Sequence, residues 1–118
     1  MEITNKDCYS GCIDIADGLN RVCGNEAVYK RMLQSFVSGT YIGKIKTAAH
    51  AGDVKEAASG AHALKGISAN LSLAELYGLT VEIESELKNG IVCEESLDKL
   101  EASVTRTLNC INSLLNEA

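Results

Sequence analysis

Apolar residues recur every three or four positions along most of this chain, and five helical stretches can be drawn from that period, with no linker and no internal repeat. A short opening segment to about residue 10 precedes a first helix near 13–23. Gly24-Asn25 punctuates the pattern, and Asn25 is a good N-cap for the next helix. That helix carries Val28, Met32, Leu33, Phe36 and Val37, then Ile42, Ile45, Ala48 and Ala49, and closes at His50-Ala51-Gly52. Gly39 and Gly43 weaken its middle and allow a kink or break.

Asp53-Val54-Lys55-Glu56 has capping-box form and starts a helix to about residue 71. The apolar face of that helix reads Val54, Ala57, Ala61, Leu64, Ile67 or Ser68, and Leu71. Ser72-Leu73-Ala74-Glu75 reads as a second capping box. The helix after it turns Leu76, Leu79, Thr80, Ile83 and Leu87 inward and stops at Asn89-Gly90. The last helix begins near Glu94, with Leu97, Leu100, Val104, Leu108, Ile111 and Leu115 as a long stripe of the kind that packs in bundles. Short turns make consecutive helices antiparallel. The predicted fold is all-α, an up-and-down antiparallel four-helix bundle with a short extra N-terminal helix, in one domain over residues 1–118.

Composition agrees with this class. The chain has no proline, no tryptophan and one phenylalanine, so the commonest helix breaker is missing and aromatic residues are too few for a β-sandwich. No apolar run approaches the roughly 18 residues of a membrane span. The first residues also lack the charged-then-apolar pattern of a signal peptide. A soluble, cytoplasmic protein is expected. The net charge of −5 disfavours nucleic acid and anionic membrane as partners. Five scattered cysteines, Cys8, Cys12, Cys23, Cys93 and Cys110, fit free thiols in small apolar slots. Cys8 and Cys12 share a helix face, but no CxxC or Cys/His cluster completes a zinc site.

The candidate chemistry lies at His62-Ala63-Leu64-Lys65-Gly66. His62 is roughly 100° round the helix from Ala61 and about 160° from Leu64, so it faces solvent or a groove. Its helical neighbours Ser59, Ala58, Gly66 and Ala69 are small, and Lys65 is the exception. A bulky reaction partner can therefore approach an imidazole that is nucleophilic at neutral pH. A single helical histidine is ordinarily a surface or core residue, a helical glycine can be a tolerated irregularity, and an exposed lysine is ordinarily solvated. His50, the other histidine, lies at a helix end with no Lys-Gly beside it and reads as a cation favourable to the helix dipole.

The stretch His62-Ala63-Leu64-Lys65-Gly66-Ile67-Ser68-Ala69-Asn70-Leu71, with Leu76, Ile83-Glu84 and Leu87, resembles the histidine-containing phosphotransfer (HPt) domain family. Ile13-Asp14, Gly18-Leu19 and the pattern from Tyr29 to Phe36 also look like that family's N-terminal half. The resemblance implies that His62 takes a phosphoryl group from a receiver-domain aspartate and passes it to the aspartate of another receiver, in a multistep two-component phosphorelay. It implies that Lys65 steadies phosphoryl oxygens and that Gly66 makes room for the partner's loops. It also implies that Glu84 hydrogen-bonds the other imidazole nitrogen, although Glu82, Glu84 and Glu86 alternate as a solvated acidic face would. Two positions depart from the family pattern: Ser72 stands where a glycine commonly follows, and Ile67 fills a position often small.

Such a domain is a phosphocarrier rather than an autonomous kinase, and no phosphate loop or kinase-type glycine loop is present. No cofactor is expected, since the divalent metal of the transfer belongs to the receiver. The implied partners are response-regulator receiver domains and a hybrid sensor histidine kinase, met by a monomer. A non-catalytic helical adaptor is the alternative, which loss of His62 or Lys65 would favour. A sensor-kinase dimerisation hairpin fits less well, because Ala63 follows the histidine and four long helices are expected.

Overall fold

The computed structural model describes residues 13–39 and 41–116, and all their regular structure is helical. Six helices follow in order: α1 (Ile15–Arg21), α2 (Glu26–Ser38), α3 (Tyr41–His50), α4 (Val54–Asn70), α5 (Ala74–Lys88) and α6 (Glu94–Asn116). The expected opening segment, with Cys8 and Cys12, lies outside the described residues. The first helix is shorter than expected at both ends, because Asp14 is its N-cap and accepts from the Asp17 N–H at 3.1 Å.

The helix expected over residues 26–50 is two helices. Asn25 caps the first as predicted, accepting from the Val28 N–H at 3.1 Å. The break falls at Gly39, whose backbone is extended (φ −79°, ψ 155°), while Gly43 continues inside α3. The rings of Phe36 and Tyr41 stack across the break with centroids 5.7 Å apart. A Cβ on residue 39 would run into the Tyr41 ring, so glycine is what lets the two helix ends come together there.

α4, α5 and the ends of α1 and α3 stop in one common way. The second residue after the last helical one adopts a left-handed conformation, and two backbone N–H groups reach back to the open carbonyls. Gly52 (φ 81°) and Gly90 (φ 77°) do this at no steric cost. Ser72 does it at φ 59°, with its N–H on the Ala69 carbonyl and the Leu73 N–H on the Ser68 carbonyl. This corrects the second capping box. Leu73 is the N-cap of α5 without a side-chain hydrogen bond, and the Ser72 hydroxyl instead donates to Asp17 at 2.5 Å. Glu75 accepts from Ser103 and Arg106 on α6. The glycine common at position 72 in the family suits this left-handed turn; serine keeps the turn and gains a tie to α1.

α4 makes its most extensive contact with α5 and packs on its other side against α3; α5 and α3 both lie against α6. The molecule measures 44 × 22 × 21 Å, and at about 1.5 Å per residue α6 spans most of the long axis. The α4–α5 seam is close because its inner positions are small: Ala57, Ala61 and Ser68 on α4, Thr80 on α5. The buried hydroxyls of Ser68 and Thr80 donate to the Leu64 and Leu76 carbonyls one turn back, so neither carries an unmet hydrogen bond into the core. Of the two candidates for the α4 stripe, Ser68 is buried and Ile67 only partly so. Leu33, Leu64, Leu76, Leu100 and Ile111 are fully enclosed, and truncating any of them to alanine costs about 2–5 kcal/mol.

Candidate functional site

His62 projects from the middle of α4 beside the α4–α5 seam, with its side chain 69% exposed. The stripe Ala57, Ala61, Leu64, Ser68 faces the core, and that phase turns the next position outward. On α5, Thr80, Glu84 and Leu87 lie three or four residues apart and therefore share the face turned to α4. Glu84 is buried on that face, a placement that the alternation of Glu82, Glu84 and Glu86 had suggested against. The spacing to Thr80 and Leu87 was the signal for it.

A buried carboxylate requires partners, and Glu84 has three. Its Oε1 meets Lys65 Nζ at 2.5 Å; its Oε2 meets His62 Nδ1 at 2.8 Å and Lys88 Nζ at 3.3 Å. Lys65 above all, then His62 and Lys88, outweigh the burial that works against ionisation and hold the Glu84 carboxyl down to about 2. Glu84 is therefore a carboxylate at neutral pH and can only accept hydrogen bonds. In the neutral imidazole the shared proton then resides on Nδ1, and Nε2 keeps its lone pair. The arrangement can present a nucleophilic nitrogen to solvent and hold a fixed negative charge behind the ring.

Three of the four residues singled out in the sequence thus meet around one carboxylate. The fourth, Gly66, is exposed one turn further along α4, and a Cβ placed there would meet no atom within 4 Å. Nothing among the described residues requires glycine at this position. Lys65 differs from the solvated lysine its position suggested: it is 28% exposed and committed to Glu84. Lys88 was missed, although its place four residues after Glu84 on the same helix was readable. An open groove of about 580 Å³ begins at His62 and runs between the first turns of α4 and the last turns of α5.

His50 stands apart from this cluster, at the end of α3, with Nε2 2.7 Å from Glu94 at the start of α6. Among the described residues no group of three or more His, Cys, Asp or Glu side chains is placed to hold a metal ion. Cys23 and Cys93 are free thiols. No helix of the described residues is long and apolar enough to cross a membrane.

Compared with protein families, the chain matches the Hpt domain over residues 31–110. No curated protein matches it, and no solved structure does. The matched stretch runs from within α2 into α6 and takes in His62, Lys65, Gly66, Glu84 and Lys88. With well over half of its length inside that match, the chain belongs to the Hpt domain family, the phosphotransfer modules of two-component phosphorelays.

Proposed function

We propose that His62 is the phosphoacceptor of this domain, taking a phosphoryl group from a receiver-domain aspartate and handing it to a second receiver in a multistep relay. The observation that carries this reading is the 2.8 Å bond from Nδ1 to a buried, ionised Glu84, which leaves Nε2 as the open nitrogen of a largely exposed ring. The Nε2 lone pair attacks phosphorus in line. The bond between phosphorus and the aspartyl oxygen breaks, and its electron pair leaves with the carboxylate. The imidazole gains positive character as the N–P bond forms, and Glu84 lies against the proton on Nδ1 to balance it. Transfer onward is the same step in reverse with a new aspartate. No proton need leave His62 in either direction.

Lys65 and Lys88 share one carboxylate with His62. When a phosphoryl dianion sits on Nε2, both ammonium groups are close enough in sequence and space to divide themselves between Glu84 and the phosphoryl oxygens. Gly66 leaves clear the surface over which a partner's loops pass. The domain acts as a carrier without a nucleotide site, and its partners are receiver domains and a hybrid sensor kinase. In this reading it works as a cytoplasmic monomer of one domain, with α3 to α6 as an up-and-down four-helix bundle and α1 and α2 set against it.

The test uses a receiver domain charged on its aspartate with labelled phosphate. Wild-type protein and His50→Ala should acquire acid-labile, base-stable label, and His62→Ala should acquire none. Label retained by His62→Ala, or lost in His50→Ala, contradicts the assignment.

A further inference from the structure

Two lysines reach the Glu84 carboxylate, and they bond different oxygens of it. Lys65 Nζ holds Oε1 at 2.5 Å. Oε2 is shared between His62 Nδ1 at 2.8 Å and Lys88 Nζ at 3.3 Å, so Lys88 stands on the imidazole's side of the carboxylate. The two side chains also differ in freedom. Lys65 is 28% exposed, whereas Lys88, the last residue of α5, is 64% exposed. Lys88 and His62 line the same open groove of about 580 Å³ and so border one solvent-filled space.

We infer that Lys88 is the residue that takes hold of the phosphoryl oxygens on His62, while Lys65 stays on Glu84 as a positioning residue. The inference rests on the phosphoacceptor reading of His62 and deepens it by giving the two lysines different tasks. Glu84 is 4% exposed, and a carboxylate that deep cannot be left without counter-charge and hydrogen bonds. If Lys88 leaves, Lys65 still bonds Oε1 and the Nδ1 proton still bonds Oε2, so both oxygens keep a partner. If Lys65 leaves instead, Oε1 loses its bond inside the protein, and a largely covered side chain has to move outward. The first exchange costs little, because an ion pair four residues apart at an exposed helix end is weak.

What Lys88 gains is a charge-assisted bond to an oxygen that carries the charge of the transferring group. Lys88 keeps its protons throughout. The Nε2 lone pair makes the bond to phosphorus, and the electron pair of the broken bond leaves with the donor. Lys55 lines the same groove two helical turns from His62, about 10 Å along α4, and serves as the control for positive charge further from the ring.

The experiment phosphorylates the whole chain with phosphoramidate, whose P–N bond breaks to release ammonia, and compares wild type with Lys88→Gln, Lys88→Arg, Lys65→Met and Lys55→Gln. Labelling of Lys88→Gln should slow at least fivefold, and Lys88→Arg should recover to within threefold of wild type. Lys55→Gln should stay within twofold. Before phosphorylation, Lys88→Gln should melt within about 2 °C of wild type, and Lys65→Met should melt lower. In protein carrying ¹³C at the lysine ε-carbons, phosphorylation should move the Lys88 signal more than the Lys65 signal. Wild-type labelling rates in Lys88→Gln, or a larger movement at Lys65, overturn the inference and leave the phosphoacceptor standing. A Lys88→Gln midpoint as low as that of Lys65→Met makes Lys88 a structural partner of Glu84 and also overturns it. A wild-type His62 that takes no label overturns both readings.

Discussion

At the scale of single residues, the site depends on one carboxylate holding three nitrogen groups. Removing Lys65 unties the shortest of those contacts and leaves Glu84 buried with His62 and the looser Lys88. Lys65→Ala should therefore slow phosphotransfer about 5- to 30-fold, equivalent to about 1–2 kcal/mol, and should also lower the melting midpoint. A solvated lysine would leave the midpoint unmoved. Glu84→Gln keeps an oxygen to accept from Nδ1 and should transfer faster than Glu84→Ala. Glu84→Gln also has a signature in acid. The native Glu84 carboxyl lies below its ordinary 4.5, so its contribution to stability is complete above that pH and is lost as pH falls toward about 2. Denaturant midpoints measured between pH 5 and 2 should fall less steeply for Glu84→Gln than for wild type. Parallel curves, with wild-type rates in all three variants, would place both residues outside the mechanism.

At the scale of elements, the phase of α4 and two helix caps were readable, and the contact behind His62 was not. The three-and-four spacing of α4 placed His62 off the core stripe, and Asn25 and Asp53 capped the helices that they were expected to cap. Ser72 and Glu75 had the letters of a capping box but serve other partners, because left-handed backbone at residue 72 aims the hydroxyl at Asp17. Local pattern cannot report a contact between residues 55 positions apart. The same holds for Glu84: its burial needs the packing of α5 on α4, whereas its charge alone argued for solvent. Gly66 shows the reverse case, a residue for which the described part of the fold gives no reason. Replacing it with leucine should raise helix stability by up to about 1 kcal/mol, since no atom stands in the way and helical glycine is costly. The transfer rate from a charged receiver should nevertheless fall at least tenfold. A Gly66→Leu protein that melts higher and transfers normally would mean that partners do not pack over this turn.

At the scale of the whole molecule, the long rod of helices positions two helices so that a single nitrogen is left open. The core Leu and Ile residues fix the α4–α5 seam, the seam buries Glu84, and Glu84 selects which imidazole nitrogen carries the proton. That chain of causes makes a specific claim about one bond. Protein labelled with ¹⁵N in its histidines, phosphorylated with phosphoramidate, reports the site of phosphorus through two-bond proton–nitrogen correlations of the ring. The account predicts one phosphohistidine, His62, with phosphorus on Nε2 and a proton retained on Nδ1. Phosphorus on Nδ1 of His62, or on His50, would contradict it.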